Sequence, residues 1–373
     1  MNIAVIGANG QVGREVCLFL SVFGVKVVPI SRTELGGIFL ERCGLSCRYG
    51  TIGNIEDAKR LLDGCDLIAD FSHPHGLPTE VRTAVKSNIE NALRWAPAKS
   101  PYVYMSTISA FGMAHGRSKM RNYRLAHTRY AADKRYLERL VLAGQAKRDV
   151  YVLRLGQVHG YLQKVSQEFM EEAALGEEVH LPFSSNTASY TVFCFTIAEA
   201  LVNIALGKEK PGRYTLVSTP SWTWGEVYAH WARQCNSKLK LVISENEESK
   251  KIDSRSLLKW SGFLTNPVIC FGVTYRELFM NYLFAGFPKI QDRMRAEYLR
   301  RKAAAEIAQG RKEKAARREF WIGEVPDKRL TSLSDSRLTM EGATQAVKVI
   351  VSSAVAPNKS AANVRNVRHE QVY

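Results

Sequence analysis

The opening run NIAVI-GANGQVG-REVCLFLSVFG constrains this chain more than any other stretch. Residues 2–6 suit one short buried strand. They lead without a linker into Gly7, Gly10 and Gly13, and then into an apolar pattern with helical spacing. A strand followed at once by a helix folds back onto a sheet and favours parallel neighbours. Small residues at the turn let the backbone approach a pyrophosphate. The start of the helix adds unpaired N–H groups and the positive end of its dipole. Gly7, Asn9, Gly10, Gln11, Val12 and Gly13 are therefore the candidate cradle for a dinucleotide. A tight turn without a ligand is the alternative.

The same rhythm continues downstream. VKVVPIS, DLIADF, YVYMSTIS and VYVLRLG read as strands, separated by helical patterns such as EDAKRLLDG and RYAADKRYLERLVLAG. Alternation of this kind predicts an α/β, Rossmann-type doubly wound parallel sheet. The pattern changes near residue 160 and again near Pro288. The expected division is a dinucleotide-binding domain over 1–160, a smaller substrate domain over 161–285 with segments returning to the sheet, and a basic helical extension with a flexible tail over 286–373. With 373 residues and 46 % hydrophobic content the chain can bury a sizeable core. Its seven cysteines form no CxxC pair and read as reduced thiols. Met1 leads straight into an apolar run, so no signal peptide is expected. No apolar stretch is long enough to predict a transmembrane span. A cytoplasmic protein is the resulting expectation.

Two further places carry chemistry. The second strand ends in Ser31 and Arg32, with no acid until Glu34. An acid there would bind both ribose hydroxyls, whereas an arginine pairs with a 2′-phosphate. The expected cofactor is therefore NADP, with NAD as the alternative. Tyr130 and Lys134 lie four apart in a helical segment and so share a face. A nearby ammonium lowers a phenol's pKa and makes the pair a general acid/base for carbonyl–alcohol interconversion. The preceding strand ends in a hydroxyl cluster, YMSTIS, which offers a donor to a substrate oxygen.

GANGQVG, YVYMSTISAFG, RYAADKRYLE and YVLRLGQVHG, in that order, resemble the extended short-chain dehydrogenase/reductases, the NAD(P)-dependent epimerase/dehydratase family. The resemblance covers about residues 1–230. It implies Thr107 as the hydroxyl catalyst with Ser106 beside it, Tyr130 and Lys134 as the catalytic tyrosine and lysine, and Glu138 as the glutamate that follows. Arg154, Gly156 and Gly160 match the strand lining the nicotinamide side. Thr51 stands where the family has an acid that contacts adenine, and is kept as a cofactor-binding position. Departures are Leu155 for the usual proline and ADFSHP for a strand end of small apolar residues. The resemblance implies a nucleotide-sugar or keto-sugar substrate and a reductase or epimerase. A non-catalytic NADP-binding scaffold or sensor is the other reading, and a homodimer is allowed.

His73 and His75 lack a third ligand at metal spacing, so no metal is expected. His159 suits either substrate contact or packing. Trp222, Trp224 and Trp231 suit core packing better than a sugar platform. Residues 289–318 carry eleven Lys and Arg against four acids, and Tyr298 is their one aromatic. That pattern argues against nucleic acid and leaves an anionic membrane surface or a solvated helix.

Overall fold

The structure is a computed structural model that describes residues 1–74, 76, 78–111, 129–174, 178–181, 183–219, 221–237, 240–243, 300, 330 and 337–355. His75 and the basic segment 289–318, apart from Arg300, lie outside them.

The glycine turn sits where the sequence places it. β1 (Asn2–Ile6) runs into α1 (Gln11–Val22), and Gly7 adopts φ 76°, a conformation costly for any residue with a Cβ. The first half continues with β2 (Lys26–Ser31), α2 (Glu34–Arg42), β3 (Arg48–Tyr49), α3 (Ile55–Leu62), β4 (Leu67–Asp70) and α4 (Pro78–Trp95). Next come β5 (Tyr102–Thr107), a short 3₁₀ turn (Ile108–Phe111), α5 (Arg129–Ala143) and β6 (Val150–Leu155). Thr33 and Asn54 cap α2 and α3 by accepting from backbone N–H groups.

The second half holds β7 (Gln157–His159), α6 (Lys164–Ala174), β8 (Glu178–Leu181), β9 (Thr191–Phe193), α7 (Cys194–Ala205), β10 (Gly212–Leu216), α8 (Trp224–Gln234) and β11 (Lys240–Ile243). α9 (Arg337–Val355) follows. One seven-stranded sheet has the order β10-β6-β5-β4-β1-β2-β3, and every pairing in it is parallel. β8–β11 and β7–β9 form two small parallel pairs.

Strand order reverses between β1 and β4, and that reversal opens a crevice at their C-terminal ends. The sheet is sandwiched by two apolar layers. One joins β1, β4, β5 and β6 to α1, α7, α8 and α9, and the other packs α3, α4 and α5 on the opposite face. β10 pairs in parallel with β6 at the edge of the sheet. The sequence reading assigned no element within 331–373. The structure places α9 there, packed on α1, α2 and α7 through Met340, Ala343, Val347 and Val351. Among the described residues, no helix is long and apolar enough to cross a membrane.

Candidate active site

The crevice is walled by backbone. A Cβ on Gly7 would stand 3.0 Å from the carbonyl carbon of Phe71, just past β4. On Gly13 it would stand 2.4 Å from the Gly7 oxygen. Gly10 is the N-cap of α1 and offers no side-chain cap, so the first N–H groups of that helix are uncapped. A glycine-tight turn below an uncapped helix start fits a pyrophosphate. Asn9, Gly10 and Gln11 are exposed along its rim, while Val12 turns toward the core.

At the end of β2 the two candidate residues part company. Ser31 is buried and its hydroxyl donates to the Thr33 oxygen, so it shapes the turn into α2. Arg32 is exposed. A Cβ on Gly36 would lie 2.7 Å from Ser31 Oγ and 2.8 Å from Asn9 Nδ2, which brings the glycine turn and the start of α2 together. Thr51 donates its N–H to Asp57 Oδ2 at 2.9 Å, so a carboxylate from α3 occupies the ground beside it. Backbone N–H donation from Thr51 holds that carboxyl below its ordinary range.

Strand alternation sends Tyr102, Tyr104 and Ser106 to the α5 side of β5, with Thr107 at the strand's end. Lys134 is buried and its Nζ donates to the Met105 oxygen at 2.8 Å, fixing α5 to the end of this strand. The same ammonium lies 4.7 Å from the Tyr104 ring centre and 6.0 Å from that of Tyr130. The Tyr130 ring meets His73 edge-on at 5.3 Å. Tyr130 remains 44 % exposed. Thr107 Oγ1 accepts from the Ser109 N–H, and Arg135 holds the following turn through the Ala110 oxygen.

Loss of water shifts both members of the pair in opposite directions, although Tyr130 keeps part of its surface exposed. Desolvation brings Lys134 down to about 8, against the opposing pull of Asp70 and Glu138. Desolvation also pushes the Tyr130 phenol up to about 12. This corrects the expectation of a phenol made acidic by its neighbour. The ammonium is engaged by a carbonyl and is not against the phenol oxygen, so the loss of water dominates. In this state Tyr130 is a phenol, ready to donate a proton.

Beneath the pair, Ser106 Oγ donates to Glu138 Oε1, and Arg154 binds Glu138 in two places, Nε to Oε1 at 2.9 Å and Nη2 to Oε2 at 2.7 Å. Glu138 and Arg154 are thus one buried bidentate pair crossing from α5 to β6. Gly156 lies against the chain at Tyr190: a Cβ there would meet the Tyr190 oxygen at 1.8 Å. Gly160 likewise makes room for the carboxylate of Glu15. His159 is fully buried, with Trp231 Nε1 donating to its Nδ1, which fits its packing role. Trp222, Trp224 and Trp231 are buried and belong to the core. No cluster of metal-ligating side chains occurs among the described residues.

From the sequence, Asp70, Ser72 and His73 are expected near the cofactor in place of small apolar residues, with no role assigned to Asp70, and Glu15 carries no expectation at all. Asp70 is fully buried at the end of β4, accepting from Tyr102 Oη at 2.5 Å and from the Ser72 N–H at 2.7 Å. Glu15 is fully buried on α1 and accepts from the N–H groups of Tyr161 and Leu162 and from Gln163 Nε2. The available signals were the tyrosine alternation in YVYMST and an acid inside the apolar run of α1.

A parallel sheet of order 3-2-1-4-5-6, with a glycine turn at its switch point, defines a dinucleotide-binding α/β protein. The chain belongs to the NAD dependent epimerase/dehydratase family, whose pattern matches residues 3–189. Comparison with curated proteins finds no match. Among solved structures, UDP-N-acetylglucosamine 4-epimerase from Bacillus cereus superposes with a TM-score of 0.51 at 17% identity, over 65% of this chain and 85% of that one. UDP-glucose 4-epimerase from Thermus thermophilus, solved with NAD, gives 0.48 at 18% identity, over 65% and 86%. At these identities the likeness concerns the fold.

Proposed function

We propose that this protein is an NAD(P)-dependent reductase or epimerase acting on a nucleotide sugar or related keto-sugar. The observation that carries the reading is the anchoring of Lys134 to the Met105 oxygen, which sets the Tyr130 turn of α5 over the strand end bearing Thr107. When bound, the nicotinamide dinucleotide supplies or accepts the hydride. Gly7, Asn9, Gly10, Gln11, Val12 and Gly13 would hold its pyrophosphate, with Ser31, Arg32 and Thr51 at the adenosine end and Gly156 on the nicotinamide side. Tyr130 gives or takes the proton at the substrate oxygen, and Thr107 holds that oxygen by a hydrogen bond. Lys134 orients the tyrosine and donates toward ribose. Residues 1–160 would form the cofactor half and 161–285 the substrate half. The exposed Arg32, with no acid in the sequence between it and Glu34, favours NADP.

The test is turnover with NADPH or NADH and a panel of nucleotide sugars and keto-sugars, in the parent protein and in Tyr130→Phe. The variant should lose turnover by about 10²–10⁴-fold while its dinucleotide affinity is retained. Undiminished turnover in the variant would end the reading. A second reading, a dinucleotide-binding scaffold, draws support from the raised phenol pKa. Bound dinucleotide without turnover on any of the panel would favour it.

A further inference from the structure

Lys134 is a cation in a largely dry place, and something must hold its charge there. Besides the Met105 oxygen, which accepts its hydrogen bond, four side chains bear on it. Tyr104 from β5 and Tyr130 from its own helix present rings to the ammonium. Glu138, one turn along α5, and Asp70, at the end of β4, bring negative charge. Glu138 is already matched, since Arg154 binds both of its oxygens. Asp70 is different: among the described residues it forms no ion pair. Tyr104, whose ring lies under the ammonium, is its direct partner in the β4–β5 register.

The hydrogen bonds of Asp70 also speak to its charge. Oδ1 accepts from the Ser72 N–H and Oδ2 from the Tyr102 hydroxyl. Oδ1 faces a backbone donor and Oδ2 a hydroxyl that can donate to it, an arrangement able to hold a carboxylate. Burial pulls the other way and raises the group, while Ser72, Tyr102 and Lys134 oppose it.

We propose that Asp70 is the buried counter-charge that holds the Lys134 ammonium beneath the site, and so is a positioning residue for the reaction. It acts through Lys134 and touches neither substrate nor cofactor. The proposal rests on the reading of Lys134 as part of the catalytic pair, but its test does not need a dinucleotide. Asp70→Asn keeps the size of the side chain and an oxygen acceptor while removing the charge.

The experiment follows Lys134 directly by NMR in full-length protein carrying ¹³Cε-lysine, with its signal identified by its loss in Lys134→Arg. In the parent the midpoint should fall near about 8. In Asp70→Asn it should drop by at least ~1 unit, the effect expected of losing one close opposite charge. An unchanged midpoint would overturn the proposal. A measurement on the unmodified chain stands beside it should the variant not fold. The carboxyl carbon of Asp70 should report the ionised form at pH 7, and a protonated signal there would equally overturn the proposal. A protein that binds no dinucleotide would sink the functional reading and leave these two outcomes intact.

Discussion

On the proposed reading, Lys134 puts function and stability in opposition within one side chain. The charged form that reading requires is present below about 8. Yet its pKa in the folded protein is depressed by burial. The unfolded chain therefore holds more protons between about 8 and the ordinary lysine value, and unfolding becomes harder as pH rises through that window. The stability linked to this group is thus present at high pH and lost as pH falls through about 8. Lys134→Met removes the linkage. The melting temperature of Lys134→Met minus that of the parent should be largest near pH 7 and shrink toward pH 10. A difference that stays flat would show that burial does not govern this lysine. The four-residue spacing of Tyr130 and Lys134 was legible in the sequence because helix geometry is local. The sign of the phenol shift was not, because it depends on which oxygen the ammonium reaches, and Met105 lies 29 positions away.

At the scale of elements, the glycine turn and the strand–helix alternation could be read directly, since each rests on neighbours in sequence. The clasp between α1 and the loop after β7 could not. Glu15 on α1 reaches residues 146 to 148 positions downstream, and nothing local in REVCLFL marks its partners. The carboxylate matters here because all its partners donate. Oε1 takes the Tyr161 N–H, and Oε2 takes the Leu162 N–H and Gln163 Nε2. Gln163 also donates to the Gln11 oxygen in the first turn of α1, so the clasp ties the dinucleotide helix to the start of the second half. Glu15→Gln keeps the shape but turns an NH₂ toward a donor. It should cost about 2 kcal/mol, the scale of one buried group left without a partner. Urea denaturation would measure this, and a loss below about 0.5 kcal/mol would mean the clasp is not holding the loop. A Cβ on Gly156 would press on a carbonyl with nowhere to go. Gly156→Ala should therefore destabilise by about 1–3 kcal/mol, as overpacking does, read in the same experiment.

At the scale of the whole molecule, the chain closes on itself. α9 begins at Arg337 and packs against α1, which begins at Gln11, as well as α2 and α7. Lys348 extends the contact, donating to Gln234 Oε1 at the end of α8 at 2.5 Å and lying 5.3 Å from the Tyr161 ring centre. Tyr161 belongs to the loop that Glu15 clasps, so α9 meets both halves of the protein at one place. The sequence conceals this helix because its buried face is spare. Met340, Ala343, Val347 and Val351 make a narrow stripe in a stretch otherwise rich in Ser, Thr and Ala, and such a stripe gains its meaning only from the apolar surface it covers. Val347 is fully buried at the centre of that stripe. Val347→Asp would have to bury an unpaired carboxylate or release the helix, and release is the cheaper course. The variant should therefore keep its seven-stranded sheet, lose protection from limited proteolysis within 337–355, and melt at a lower temperature as the α1–α7 surface is uncovered. Cleavage of that segment at equal rates in variant and parent would show that the helix is not docked in solution.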